Sequence, residues 1–180
     1  MRIIGGNFKG RIIKPPQGLP ARPTTDFAKE ALFNVLANRI DFEELHVLDL
    51  FSGTGNISFE FASRGAKSLT IVEKHAKSIF FIKSEFEKLK FNNINLYRND
   101  VFSFLKSTKQ SFDLIFADPP FQEINHKDLH QTLVESSVLA NDGILIIEHQ
   151  KKTNLSELEF YKETKNYGNV SFSFFSKETL

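Results

Sequence analysis

Cysteine and tryptophan are absent from this sequence, methionine occurs once, and no apolar run approaches the roughly 18 residues of a membrane-spanning helix. Without cysteine there is no disulfide framework and no thiolate metal site, which fits a reducing compartment. The first residues, MRIIGGNFKGR, carry charge but no apolar stretch long enough for a secretion signal. The expectation is a cytoplasmic protein with no membrane contact. Charge of one sign is also lacking overall, since the net charge is +1. The distribution is uneven, however. Five of the 23 basic side chains (Arg2, Lys9, Arg11, Lys14 and Arg22) fall in the first 22 residues, which hold no acid, so the rest carries 18 bases against 22 acids. A basic arm on a mildly acidic body suggests contact with a polyanion; a solvated hairpin is the plainer alternative.

What is present is a chain of 180 residues with 41% apolar and 25% charged side chains, ordinary for one globular domain, and 20 phenylalanines. Residues 1–180 are expected to form one domain, with residues 1–23 as an appended arm. In that arm, Gly5, Gly6 and Gly10 punctuate two apolar pairs, Ile3-Ile4 and Ile12-Ile13, as in a small β-hairpin. A loop rich in proline and glycine follows. Thr24-Thr25-Asp26 then offers N-cap side chains to a helix reaching about Arg39.

From residue 46 onward, strand-like and helix-like segments alternate. Strands are expected at 46–51, 69–73, 94–97, 112–117 and 144–148, and helices at 57–64, 76–91, 101–106 and 126–139. Such alternation means a parallel sheet with helices on both faces. Residues 158–163 and 170–175 instead suggest two strands joined through Asn166-Tyr167-Gly168, an antiparallel ending.

Ligands of such sheets bind beyond the carboxyl ends of the strands. After the first strand comes Asp49-Leu50-Phe51-Ser52-Gly53-Thr54-Gly55-Asn56, in which two glycines allow a tight turn and close backbone approach. A third glycine is missing; its position in a dinucleotide fingerprint is Ser58, which disfavours a nicotinamide enzyme. No Lys-Ser or Lys-Thr follows, which excludes a phosphate loop of the Walker type. After the second strand comes Glu73, placed to accept from ribose hydroxyls, and after the third Asn99-Asp100-Val101, where a carboxylate could take an adenine amino group. Together these describe a cleft for an adenosine-containing cofactor.

The fourth strand ends in FADPPF, residues 116–121. Two prolines stop a strand because neither can donate to the ladder. Asp118 and the carbonyl of Pro119 are two rigidly held acceptors suited to a planar amine, and Phe121 offers a face on which a base can stack. An exocyclic amine is a poor nucleophile because its lone pair is delocalised into the ring. Acceptors placed on both N–H bonds favour a pyramidal nitrogen with a localised lone pair. Asp118 would also stabilise the positive charge that grows on nitrogen as it attacks an electrophile such as the sulfonium methyl of S-adenosylmethionine. No metal is required. His126 and His130 have the i, i+4 spacing of metal ligands but no evident third ligand.

LDLFSGTGN, Glu73, the NDV at 99–101 and DPPF resemble the ordered motifs of class I S-adenosylmethionine-dependent methyltransferases. Arg2-Ile-Ile-Gly-Gly6 with Lys9-Gly-Arg11, Arg22-Pro-Thr-Thr-Asp26, Lys29-Glu-Ala-Leu-Phe-Asn34 and Ser63-Arg64-Gly65-Ala66 narrow the likeness to the RsmD family, over nearly the whole chain. That resemblance implies a Rossmann-like α/β fold, with a mostly parallel seven-stranded sheet, helices on both faces and an antiparallel C-terminal hairpin. It also implies methylation of the N2 amine of one guanine in bacterial 16S ribosomal RNA, naked or in the assembling small subunit, by a monomeric enzyme. Phe51, Ser52, Gly53, Thr54, Gly55 and Asn56 would wrap the methionine part of S-adenosylmethionine and Asp49 its amino end. Glu73 would hold the ribose, and Asn99, Asp100 and Val101 the adenine. Asp118, Pro119 and Phe121 would hold the guanine, and Arg2, Lys9, Arg11, Lys14 and Arg22 the RNA. Lys29 departs from the arginine expected there, which would weaken a two-pronged phosphate contact. DPPF by itself fits amine methyltransferases of DNA adenine or protein glutamine equally well, and a non-catalytic cofactor- or RNA-binding module is the remaining rival.

Overall fold

The structure, a computed structural model, describes residues 1–19 and 24–178. Arg22 lies outside the described residues, as do Pro20 and Pro23 of the proline-rich loop. Helix α1 spans Asp26–Ala37, α2 Asn56–Ser63, α3 Ala76–Leu89, α4 Val101–Ser107 and α5 His126–Glu135. Strands β1 (His46–Leu50), β2 (Ser68–Glu73), β3 (Ile94–Arg98), β4 (Phe112–Ala117), β5 (Leu139–Gln150), β6 (Tyr161–Tyr167) and β7 (Val170–Phe175) form one sheet in the order β3-β2-β1-β4-β5-β7-β6. The pairs among β1 to β5 are parallel, whereas β7 runs antiparallel to both β5 and β6.

Alternation along the central strands sorts side chains to the two faces. Leu114 and Phe116 of β4 and Ile144 and Ile146 of β5 join the core under α1, α2 and α3, which contribute Leu32, Phe59 and Phe86. Ile115, Ala117, Leu145 and Ile147 join the opposite core with Phe104 of α4 and Leu129 and Leu133 of α5. Phenylalanine carries much of this packing. Phe33 meets Phe61 edge-on at 4.7 Å, with the guanidinium of Arg64 4.9 Å above the Phe33 ring. Each such buried ring contributes roughly 1.5–3 kcal/mol relative to exposure. All of Val170–Phe175 is buried, so the C-terminal aromatic run is core.

Element boundaries shift where the backbone turns left-handed. Helix α5 ends at Glu135, short of residue 139, and Ser137 has φ 54°. Strand β6 begins at Tyr161 rather than 158, just after Phe160 at φ 62°. Strand β5 begins early, at Leu139, which pairs with Phe112 across a register shift.

The N-terminal hairpin is reduced to one antiparallel bridge, Arg2 with Ile12, flanked by backbone bonds such as Ile3 N–H to the Arg11 carbonyl at 2.9 Å. It does not hang free. Ile3 and Ile13 are buried in the core. The amides of Ile4 and Gly5 donate to the Glu60 carboxylate, each at 2.8 Å, and Phe8 N–H donates to Ser63 Oγ at 2.9 Å. Gly6 has φ 71°, and a Cβ there would stand 1.8 Å from the Ser63 carbonyl oxygen, so only glycine lets the arm lie this close to α2.

Candidate active site

The strand order reverses between β1 and β4, and a cleft of about 290 Å3 opens there beyond their carboxyl ends. One wall comes from the ends of β1, β2 and β3 and includes Asp49, Phe51, Ser52, Gly53, Thr54, Asn56, Glu73, Asn99, Asp100 and Val101. The other comes from the ends of β4, β5 and β7 and includes Asp118, Pro119, Phe121, Glu148 and Val170. Residues predicted from two distant parts of the sequence therefore share one cavity.

The glycine turn is built from left-handed backbone: Phe51 has φ 59°, Gly53 56° and Gly55 75°. Phe51 is a non-glycine residue in a region that L side chains rarely adopt, at a cost of roughly 1–3 kcal/mol. Glu73 holds the turn. Its Oε2 accepts from Gly53 N–H at 2.9 Å and its Oε1 from His75 N–H at 2.8 Å. Gly55, the second glycine of the turn, has a packing role. A Cβ there would come within 3.0 Å of Ile82 and 3.1 Å of Phe59, so this glycine lets α2 pack against α3.

Asp49 is buried and accepts a short hydrogen bond from Ser58. Burial pushes its carboxyl up to about 7, with the nearby Glu73 charge adding to the rise and the Ser58 bond opposing it. A buried acid in this state is primed to ionise when a cation arrives. The Ser52 hydroxyl, also on the wall, is buried without a partner among the described residues. Asp100 caps α4, its Oδ1 accepting from Ser103 N–H at 3.0 Å, while Asn99 Oδ1 accepts from Asp100 N–H at 2.9 Å.

Asn56 lines the cleft, and both it and Lys29 are tied into the protein. Both polar ends of the Asn56 side chain are engaged within the protein: Oδ1 accepts from Lys29 Nζ at 2.8 Å and Nδ2 donates to the Thr24 carbonyl at 3.0 Å. Lys29 is 1% exposed, so it cannot contact phosphate; its Nζ donates to the Arg2 carbonyl at 2.6 Å and lies 3.7 Å from Glu60 Oε2. Desolvation lowers the pKa of this ammonium, and the Glu60 charge opposes the drop. The arm cations Arg2, Lys9, Arg11 and Lys14 are exposed and do not line the cleft.

Sequence reasoning overlooked Thr24, Thr25, His75, Glu148 and Val170 on the wall. Glu148 was findable: it is the acid ending the fifth strand, as Asp118 follows the fourth. It is 3% exposed, and Thr24 Oγ1 donates to its Oε2 at 2.9 Å. His126 and His130 sit in the half of the fold packed by α5 and are pushed below the usual imidazole range by burial. No group of metal-ligating side chains occurs among the described residues.

A Rossmann-like sheet with a strand-end glycine turn, acids after successive strands and an Asp-Pro-Pro-Phe turn facing them is the arrangement of a class I methyltransferase. Comparison with known proteins narrows this. The family model described as "Conserved hypothetical protein 95" matches residues 1–176, and the chain belongs to that family, RsmD. The chain is 35% identical over 154 residues to the ribosomal RNA small subunit methyltransferase D of Buchnera aphidicola subsp. Baizongia pistaciae, covering 86% of this chain and 78% of the relative. It is 31% identical over 183 residues to the protein of the same name from Escherichia coli K12, covering 99% and 90%. A solved hypothetical protein from Thermus thermophilus superposes with a TM-score of 0.85 at 26% identity, covering 98% of this chain and 99% of that one.

Proposed function

We propose that the chain transfers the methyl group of S-adenosylmethionine to the exocyclic N2 amine of one guanine in 16S ribosomal RNA. Family membership and the Rossmann-like methyltransferase sheet support an rRNA methyltransferase that uses this cofactor. The observation that carries the choice of amine is Asp118-Pro119-Phe121 in the same cleft as the glycine turn. Among the described residues no helix is long and apolar enough to cross a membrane. A cytoplasmic monomer, formed as one domain with residues 1–23 as its RNA-binding arm, belongs to the same reading.

The residues present fit the cofactor. Asp49, held near neutrality, takes its ammonium end; Ser52 offers an orphaned hydroxyl; the left-handed turn at Gly53 brings backbone close; Glu73 and Asp100 retain acceptor capacity beside their structural bonds. Bound S-adenosylmethionine supplies an electrophilic methyl on a sulfonium. Asp118 and the Pro119 carbonyl accept from the two N–H bonds of the guanine amine and so turn its lone pair out of the ring plane. Phe121 stacks on the base and fixes the angle of approach. Asp118 then stabilises the charge growing on nitrogen, an interaction stronger in the transition state than in the ground state.

Asp118→Ala should abolish transfer while leaving cofactor affinity unchanged in calorimetry, with the lost methyl group mapped on ribosomal RNA by mass spectrometry. Near-wild-type turnover would sink the mechanism. A methyl group mapped to an adenine or a protein would favour the rival amine substrates.

A further inference from the structure

A phenylalanine stands in water at the rim of the cleft. Phe27, in the first turn of α1, is 68% exposed and comes two residues after Thr25, which lines the cleft. A lone apolar side chain at a surface needs no explanation. This one is mounted. Its ring meets that of Tyr167 edge to face, at 6.2 Å and 78°, and Tyr167 in turn lies 5.9 Å from the buried ring of Phe172. Tyr167 is also the register partner of Val170, another residue of the cleft wall. One edge contact steadies the Phe27 ring and leaves most of its area open.

An enzyme that works on a base takes it out of the nucleic-acid stack, so the bases on either side lose a neighbour. A flat ring at the mouth of the cleft can replace that neighbour whatever the base, because every base has a π-face. The charges near Phe27 fit the same strand. Base faces carry no net charge, so Asp26 and Glu30, close to Phe27 on α1, do not oppose stacking. Asp26 is met by Arg2 of the arm at 3.8 Å. Two exposed lysines, Lys151 and Lys152, follow β5, and Lys151 N–H donates at 3.2 Å to the carbonyl of Asn169, two residues after Tyr167. The ring pair therefore has cations near both of its members, placed to take the phosphates of a strand whose base lies on Phe27.

We infer that Phe27, backed by Tyr167, is a stacking platform for the unpaired nucleobase next to the target guanine. This rests on the ribosomal RNA reading above. Phe27 is then a positioning residue: it touches neither the methyl donor nor the amine, and it acts by holding the strand so that the guanine enters the cleft. Its own position is well fixed. The Thr25 side chain caps α1 by accepting from Ala28 N–H at 3.2 Å, so the same helical turn sets both the cleft wall and the ring. Stacking of this kind strengthens RNA binding and leaves the chemical step alone, which separates it from any role inside the cleft.

The test compares Phe27→Ala, Phe27→Leu and Phe27→Trp on small-subunit ribosomal RNA, bare or assembled with its proteins, in whichever form wild type methylates it. Loss of the ring face should raise the KM for RNA about tenfold in both the Ala and the Leu variants, with little change in kcat at saturating RNA or in cofactor affinity. Phe27→Trp keeps a face and should recover most of that loss. A second arm replaces, in turn, the nucleotide on each side of the methylated guanine by an abasic one. One of these should cost wild type about tenfold and cost Phe27→Ala nothing further, since both changes remove the same contact. If Leu matches wild type, the side chain only covers Tyr167. If Trp is as weak as Ala, or the abasic and Ala losses multiply, no base stacks on the ring. If Ala weakens binding while neither abasic site affects wild type, the partner of Phe27 is a protein surface. Each of these results overturns the inference. If wild type methylates no guanine at N2, it is the proposed function that fails, a result visible in the mass of the modified nucleoside.

Discussion

Asp49 makes cofactor binding pH-dependent in a direction that can be worked out in advance. Its carboxyl stands at about 7 in the folded protein, against 3.8 ordinarily, chiefly because it is buried. Binding of an ammonium group selects the ionised form, and apparent affinity scales with the competent fraction. That fraction is about one half at pH 7 and roughly 3% at pH 5.5, so affinity for S-adenosylmethionine should weaken about 15-fold on acidification over this range. Calorimetry at the two pH values measures it. Glu73 and His75 also line the cleft, so Asp49→Asn is the control: the variant should bind weakly and with a much flatter pH profile. Stability runs the same group in the opposite sense. Below pH 3.8 both states hold the proton; between 3.8 and 7 only the folded state keeps it, so stability falls as pH rises; above 7 the full penalty persists. Asp49→Asn should therefore stabilise the cofactor-free protein by up to roughly 4 kcal/mol at pH 8 and hardly at all at pH 4. Wild-type affinity that stays flat between pH 7 and 5.5, or an Asn variant with the same slope, would refute the assignment of Asp49 to the ammonium.

Two further outcomes concern the arm. Lys29→Met removes one of the two cations beside the buried Glu60 carboxylate, which keeps Arg64 at 3.0 Å and the amides of Ile4 and Gly5, and should cost about 1.5–3 kcal/mol in denaturant unfolding without altering the salt dependence of RNA binding; a cost under about 0.5 kcal/mol would mean the buried Lys29 ammonium is energetically idle. Neutralising Arg11 and Lys14 together should lower the slope of log affinity against log salt by roughly 0.7–0.9 for each phosphate that loses its cation, with cofactor affinity unchanged; identical slopes would make the arm a solvated hairpin.

Much of this molecule was legible from residue order because period and punctuation agree. Most of the parallel strands are short apolar runs closed by Gly, Pro or an acid, and α3 shows its buried stripe plainly in Ile82, Phe86 and Leu89. The cleft was legible for the same reason: its residues follow strands, and parallel topology gathers strand ends. What escaped is tertiary. Nothing near Lys29 in the sequence announces that its ammonium meets Glu60, 31 positions onward, and a lone lysine is ordinarily a surface group. Asn56 adjoins the glycine turn and lines the cleft, but nothing local announces that its amide is also held by Thr24 and Lys29. The strand starts at 139 and 161 depend on pairing partners and on Phe160's left-handed backbone, which local propensity does not encode.

Helix α2 has its polar stripe turned inward. Asn56, Glu60 and Ser63 are all buried, on one side of two helical turns: the first grips Lys29 and the loop at Thr24, the second the amides of Ile4 and Gly5, the third Phe8. The helix is therefore a ruler of about 10 Å between the glycine turn at one end and the basic arm at the other. Rulers of this kind tolerate substitution better than a change of length. One inserted residue would advance the arm by about 1.5 Å and swing its anchor through about 100°, pulling Ser63 and Glu60 off their partners together. Among relatives, the eight residues of α2 should accordingly keep their count.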